Sequence, residues 1–176
     1  FTWKDMSTFA NAGDPVYVYA VINDGTHPLG YSAYSPRFNT AAGFTPTIAS
    51  PSKISFMAGD VATFAATFGN AIVIDDPRKT LLPDSEIEVI LSVGHGMIDL
   101  SHAPDDVNYS GAGTNRLILR GKSSAITAAL DGLHYAQEVA TSNPDELTVT
   151  VRNLPLENLG IAAKATIILD PNPVSI

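Results

Sequence analysis

The clearest structural signal in the chain is the stretch Glu146-Leu-Thr-Val-Thr-Val-Arg152. Its residues alternate, so that Leu147, Val149 and Val151 share one face while the polar residues share the other. This two-residue period is typical of a β-strand with one buried face and one face in water. The rest of the chain must then supply a second apolar surface on which this face packs.

Further strands are predicted along most of the chain, separated by the Gly, Pro, Asn and Asp residues that favour turns. Residues 86–93 repeat the alternation, with Ile87, Val89, Leu91 and Val93 on one face. The other predicted strands cover residues 16–22, 31–35, 54–56, 61–68, 71–74, 97–100, 116–120 and 163–169. Many short strands with frequent turns indicate an all-β protein with an antiparallel β-sandwich.

One short helix is predicted near residues 123–131. Its sequence is rich in Ala, Ser123 or Ser124 can cap its start, and Gly132 stands where helices often end in a left-handed residue. Two apolar residues four positions apart fall on one helix face and can join the core. The predicted core comprises Ile87, Val89, Leu91, Leu117, Leu119, Ile126, Leu130, Leu147, Val149 and Val151.

The first part of the chain predicts a separate N-terminal β-hairpin. Its two strands flank Asn23-Asp24-Gly25, which is a strong hairpin-turn signal. Residues 39–53 are rich in Thr, Ala, Pro and Ser, a composition that suits an extended linker. We therefore divide the chain into residues 1–47, which hold the hairpin, and residues 48–176, which hold the sandwich.

Composition excludes several classes of function. The 176 residues contain no Cys, so disulfides, thiolate zinc sites and a Cys nucleophile are excluded. Against 18 acidic residues there are only 10 basic ones, and the net charge of −8 argues against a nucleic-acid or anionic-membrane surface. No apolar run approaches the roughly 20 residues of a membrane-spanning helix. The low charged fraction, 16%, favours an extracellular protein, and a start at Phe1 suggests processing or a longer parent.

The sequence also lacks the common catalytic motifs. Its four His residues do not form a His-Glu-x-x-His pair, and no Ser lies in a Gly-x-Ser-x-Gly turn. No Gly-rich loop precedes a helix in the way that phosphate binding requires. The sequence therefore favours a non-catalytic protein.

Four segments between residues 52 and 170 occur in an informative order: 74–76, an acidic turn after a strand; 89–100, a hairpin around His-Gly; 124–135, a helix leading to Leu-x-Tyr; and 145–153, a closing strand. In that order they resemble the cadherin-like, immunoglobulin-like repeats of large bacterial surface adhesins. The first 45 residues are similar to the final hairpin of a fibronectin type III or related immunoglobulin-like module. Residues 1–47 are then either the end of such a preceding module or an extension of the sandwich that follows.

The resemblance implies a structural or adhesive module of a large bacterial protein, located outside the cell or on its surface. Neighbouring modules of the same chain would be its partners, together with cell-surface glycans or proteins. Two other functions stay open: a carbohydrate-binding accessory module of a secreted enzyme, and a subunit of a self-assembling surface or viral appendage that donates its first hairpin to a neighbour.

The resemblance also implies calcium as a possible ligand, because cadherin-like modules can bind it at loops and module junctions. Ca²⁺ takes about six to eight oxygen ligands. Asp75 and Asp76 end a predicted strand and Asp60 opens one, so these three carboxylates are the candidate metal ligands. The alternative is that they cap turns and keep the surface soluble.

A cluster of aromatic residues in the first segment suggests a glycan site. Trp3, Tyr31 and Tyr34 are its candidate ligand-binding residues. Tyr17 and Tyr19 share a predicted strand face, however, and can equally pair with Tyr31 or Tyr34 across the hairpin.

Overall fold

The structure is a computed structural model that describes residues 45–80, 82–154 and 162–172. Before residue 45 it describes four short paired segments, at 15–16, 21–22, 30–31 and 38–39, and a bend at 25–26. The chain forms two units, residues 1–44 and residues 45–176.

The first unit contains short antiparallel strands. They are β1 (Pro15–Val16), β2 (Val21–Ile22), β3 (Gly30–Tyr31) and β4 (Phe38–Asn39). β2 pairs with β3. β1, which precedes these two strands in the sequence, pairs with β4, which follows them. Gly25 has a φ of 78°, in the left-handed region that glycine adopts at little cost. The predicted N-terminal hairpin is confirmed.

The second unit contains eleven strands and one α-helix within the described residues. They are β5 (Thr47–Ala49), β6 (Lys53–Met57), β7 (Val61–Phe64), β8 (Val73–Asp75), β9 (Ile87–Ser92), β10 (Met97–Leu100), β11 (Asn108–Ser110), β12 (Arg116–Gly121), α1 (Ser123–Leu130), β13 (Leu133–Ala136), β14 (Asp145–Asn153) and β15 (Ala162–Asn172). Short 3-10 turns at Ala66–Phe68 and Pro77–Thr80 precede and follow β8.

These strands form two main sheets. One has the order β11-β12-β9-β14-β15-β6, the other has the order β10-β13-β7, and β5 pairs separately with β8. Among the described strands every pairing is antiparallel except that of β15 with β6, which is parallel. The predicted β-sandwich of the immunoglobulin-like class is confirmed, with one parallel edge that the sequence did not indicate.

The core lies between the two sheets. All ten residues predicted for it are fully buried, with 0% exposure. In the facing sheet Phe64, Ile98 and Leu133 are buried as completely. The rings of Phe56 and Tyr135 meet edge to face with centroids 5.9 Å apart and so join β6 to β13. Each fully buried Val, Leu or Ile side chain contributes about 1.5–3 kcal/mol, so this core can stabilise the sandwich without a disulfide.

The helix begins at Ser123, as expected, but its cap differs from the prediction. The N-cap residue is Lys122, and no side chain caps the helix, so the predicted Ser cap is wrong. Packing holds the helix instead, because its apolar residues enter the core. The Thr127 hydroxyl also accepts a hydrogen bond from the Ile74 amide at 3.0 Å and donates one to the Ile74 carbonyl at 3.2 Å. The Thr127 side chain thus satisfies the main-chain amide and carbonyl of Ile74, which a neighbouring strand would otherwise bond.

Two short strands were not predicted. Thr47–Ala49 lies within the segment predicted as a linker, yet it pairs with β8 as β5. Asn108–Ser110 pairs with β12 as β11, although all its residues are exposed. Main-chain bonds to one neighbouring strand hold each stretch in place. Neither stretch needs an apolar alternation for this, and the sequence therefore carries no strand signal there.

Truncation of the inner face of β14 should destabilise the sandwich strongly. For Leu147→Ala we expect a loss of about 2–5 kcal/mol in the free energy of unfolding, because the cavity lies in a fully buried site. Thr150→Ala changes the outer face of the same strand and should cost less than about 1 kcal/mol. Urea unfolding of both variants tests this, and similar losses would contradict the assignment of the two faces.

Candidate functional site

The turn between β9 and β10 is held by one carboxylate, that of Asp145 at the start of β14. Its Oδ1 accepts a hydrogen bond from the Gly94 amide at 3.0 Å, and its Oδ2 accepts one from the His95 amide at 2.8 Å. The Tyr135 hydroxyl lies 3.0 Å from the same Oδ2 and 2.6 Å from the His95 carbonyl oxygen. We call these four residues the Asp145 clamp.

The clamp explains the glycine that follows His95. Gly96 has a φ of 116°, and a Cβ atom there would lie 2.4 Å from the Ala136 carbonyl oxygen. A side chain at this position would therefore push the turn away from β13. His95 contributes through its backbone, while the residue itself is exposed.

A pocket of about 300 Å³ opens beside the clamp and is also lined by Gln137, Glu138 and Asn143. Burial raises the pKa of the Tyr135 phenol, and the hydrogen bond to Asp145 and its negative charge raise that pKa further. The phenol therefore stays protonated at neutral pH and donates to the clamp. Asp145 also accepts a hydrogen bond from the Glu146 amide, so its oxygens are committed to holding the turn.

A second carboxylate, Asp76, is completely buried at the end of β8. Its Oδ1 accepts a hydrogen bond from Arg78 Nε at 3.1 Å, and its Oδ2 accepts one from Arg78 Nη2 at 2.9 Å. The Arg78 main-chain amide also donates to Oδ1, and the Ser85 hydroxyl donates to Oδ2, each at 2.9 Å. Arg78 continues to the carbonyl oxygens of Glu86, at 2.7 Å, and Leu154, at 3.0 Å. The pair therefore fastens the segment after β8 to the start of β9 and the end of β14.

The electrostatics of Asp76 agree with this structural role. Burial alone would raise its pKa, but the hydrogen bonds and charge of Arg78 and the hydroxyl of Ser85 together hold the pKa below its ordinary value. The carboxylate is therefore ionised wherever the protein is folded near neutral pH. Arg78 is its counter-ion, with a side chain only 12% exposed.

Of the three predicted metal ligands, Asp75 and Asp76 are bonded to basic side chains, and Asp60 lies in a different turn of the chain. Asp75 forms an ion pair with Lys79, and both oxygens of Asp76 are bonded as described. Asp60 lies in the turn after β6, where its amide bonds to the Met57 carbonyl. Within the described ranges no three His, Cys, Asp or Glu residues form a group that could hold a metal ion. The calcium site at Asp60, Asp75 and Asp76 stays a prediction from sequence.

Of the predicted glycan-binding residues, Trp3 and Tyr34 lie outside the described residues. Tyr31 lies in β3, where it is opposite Val21, and only its backbone pairing is described. The glycan site suggested by this cluster of aromatic residues stays a prediction.

One buried charge was missed by the sequence analysis. Glu88 faces away from the core of the sandwich, yet it is only 4% exposed. Its Oε2 accepts hydrogen bonds from Arg120 Nε at 2.9 Å and Nη2 at 2.6 Å. Arg120 lies directly opposite Glu88 on β12, and Arg152 lies opposite it on β14. The sequence cannot show this, because it does not reveal which strands become neighbours.

Comparison with known proteins gives no family. No protein-family model matches the sequence, and no curated protein matches it. The solved structures that are similar include the ASH / PapD-like domain of human CEP192, PapD-like domain 7. That likeness has a TM-score of 0.35 at 6% identity and covers 75% of this chain and 88% of that chain. The fold assignment rests on the strand order and core described above.

In the described part of the chain, no helix has the length and apolar character that crossing a membrane requires.

Removal of the Asp76 charge should destabilise the protein at neutral pH. In Asp76→Asn, Arg78 loses its counter-ion in a poorly exposed site, and we expect a loss of about 3–5 kcal/mol. The neighbouring Asp75→Asn breaks only an exposed pair and should cost less than about 1 kcal/mol. Because the folded pKa of Asp76 is depressed, its contribution is present above the ordinary pKa of 3.8 and is lost as the pH falls below it. Thermal melting between pH 7 and pH 3 should therefore show a flatter acid decline for Asp76→Asn than for the unmodified protein, and parallel declines would contradict the assignment.

The Asp145 clamp predicts a similar contrast within one turn. Tyr135→Phe removes the hydroxyl from a side chain that is 1% exposed and should cost about 1–3 kcal/mol. His95→Ala keeps the backbone bonds and should change stability by less than about 0.5 kcal/mol. Chemical denaturation distinguishes the two, and a larger effect from His95→Ala would show that its imidazole has a role that the clamp does not explain.

Proposed function

We propose that residues 45–176 form a non-catalytic structural module of a large extracellular or cell-surface protein, of the kind that bacterial adhesins carry in series. The observation that supports this most is the direction of β6 and β15. They are the first and last strands of the larger sheet along the chain, they are neighbours, and they run parallel from Lys53 opposite Ile168 to Met57 opposite Asn172. The chain therefore enters this sheet at one end and leaves it at the other.

This arrangement suits a module that transmits tension along a series. The Ile168 amide bonds to the Ser52 carbonyl at one end of the pair, and the Ala58 amide bonds to the Asn172 carbonyl at the other, both at 2.9 Å. An ion pair between Lys53 and Asp170 lies on the same two strands. A force that pulls the start of β6 and the end of β15 apart acts along both strands. It loads these bonds in shear, and they share the load.

The polar groups of the interior also favour a scaffold. Asp76, Glu88 and Tyr135 are buried, and each is bonded within a structural cluster: the Arg78 pair, the Arg120 pair and the Asp145 clamp. Such bonds satisfy buried polar groups and fix the loops around the sandwich. Neighbouring modules of the same chain would be the immediate partners of this one.

Single-molecule force spectroscopy on the full chain tests the proposal. Because the sequence has no Cys, a pair of introduced cysteines can serve as defined attachment points. With Ser50→Cys and Asn172→Cys the force is applied along β6 and β15. With Asp60→Cys and Asn172→Cys, both attachments lie at the same end of the pair, and the bonds open one after another.

We expect a clearly higher unfolding force in the first arrangement than in the second at the same pulling speed. Equal forces, or a lower force in the first arrangement, would contradict a role in bearing tension. The two proteins differ only in one attachment point, so each is the other's control.

A further inference from the structure

The outward face of the larger sheet carries positive charge on an acidic protein. Strand register places its outward side chains in rows that cross β12, β9, β14 and β15. The rows are Arg120, Glu88, Arg152 and Ala162; Ile118, Ile90, Thr150 and Lys164; and Arg116, Ser92, Thr148 and Thr166. We call the four cations of these rows, which are all exposed, the basic face: Arg116, Arg120, Arg152 and Lys164.

The charge of this face is opposite to that of the chain. Its rows contain four cations and one carboxylate, Glu88, which is 4% exposed and already bonded to Arg120. The exposed Glu146 lies next along β14 on the same side, which leaves two positive charges, while the whole chain has a net charge of −8. What this face presents to solvent is therefore positive, and it complements an anionic partner.

The surroundings of the cations favour a hydroxyl-rich polymer over a folded protein. Stable protein interfaces have an apolar or aromatic centre. In these rows the apolar side chains larger than Ala are Ile90 and Ile118, both half-buried, and none is aromatic. Apart from Ala162, the remaining positions are hydroxyl-bearing: Ser92, Thr148, Thr150 and Thr166. Such groups can exchange hydrogen bonds with sugar hydroxyls between the charged contacts.

The spacing of the cations favours a sparsely charged polymer. Arg120 and Arg152 are two strands apart, and Arg116 and Arg120 are four residues apart on one strand, which corresponds to separations of about 9–13 Å. Duplex DNA carries about one charge per 1.7 Å of its axis, and the net negative charge of the protein would repel so dense a polyanion. An acidic polysaccharide bears its carboxylates on separate sugar units and meets the cations more sparsely.

We propose that the basic face binds a uronate-bearing acidic polysaccharide. This inference goes beyond the tension-bearing role proposed above, because it assigns the module an adhesive surface of its own. The polysaccharide lies across the strands, with its carboxylates at the cations and its hydroxyls at the Thr and Ser rows.

Affinity electrophoresis of the full chain tests this, with polygalacturonate in the native gel and EDTA in the buffer to remove calcium bridging. We expect polygalacturonate to retard the protein, uncharged dextran to leave it unretarded, and added salt to weaken the retardation. In the double variant Arg152→Gln with Lys164→Gln, the affinity should fall about fivefold, because two exposed charge contacts are lost. Both side chains are exposed, and the buried Glu88 opposite Arg152 keeps its two hydrogen bonds to Arg120, so the thermal midpoint should change little.

The matched control is Lys79→Gln with Lys122→Gln. It removes the same charge at two exposed residues outside the basic face, where each lysine pairs with an exposed aspartate. This control should keep the affinity of the unmodified protein. Absence of retardation, equal loss in the two double variants, or tighter binding to single-stranded DNA than to polygalacturonate would each overturn the proposal. Any of these results would leave the force measurement unaffected, so the two proposals fail separately.

Discussion

The two-residue alternation of β14 is the constraint on which the rest of the structure depends. This strand lies between β9 and β15 in the larger sheet, so its register sets that of both neighbours. A slip by one residue would turn Leu147, Val149 and Val151 outward and bring Thr148, Thr150 and Arg152 into the core. One strand therefore decides both which side chains build the core and which side chains form the basic face.

Sequence reasoning predicted the features that this alternation makes visible. The predicted core residues are all buried. They could be predicted because a strand with one buried face has an apolar residue at every second position, and this period is visible in the sequence. The partners of each strand leave no such trace. The parallel pairing of β6 with β15 joins segments more than a hundred residues apart, and the path of the whole chain determines it. β5 and β11 lack a period of their own, since each is a short strand held by main-chain bonds to a neighbour.

The polar clusters could be predicted only in part, for a related reason. Asp75 and Asp76 are equivalent in the sequence, and only the 3-10 turn that follows folds Arg78 back onto the second of them. Two basic residues, Arg78 and Lys79, follow this acidic turn, and in the structure they pair with its two carboxylates. The Asp145 clamp joins residues about fifty positions apart, and sequence spacing cannot reveal such a contact.

We expect the sandwich to unfold as one cooperative unit, from the strand where the chain enters the larger sheet to the strand where it leaves. The most direct test of this cooperativity is amide hydrogen exchange measured on the full chain at neutral pH. The amides that are hydrogen-bonded between β6 and β15 should exchange at the slow rate of β9 and β14, because all four strands open only when the sandwich unfolds as a whole. If these bonded amides of β6 exchange orders of magnitude faster than those of β14, the entry strand opens on its own and cannot carry force, which would contradict this expectation.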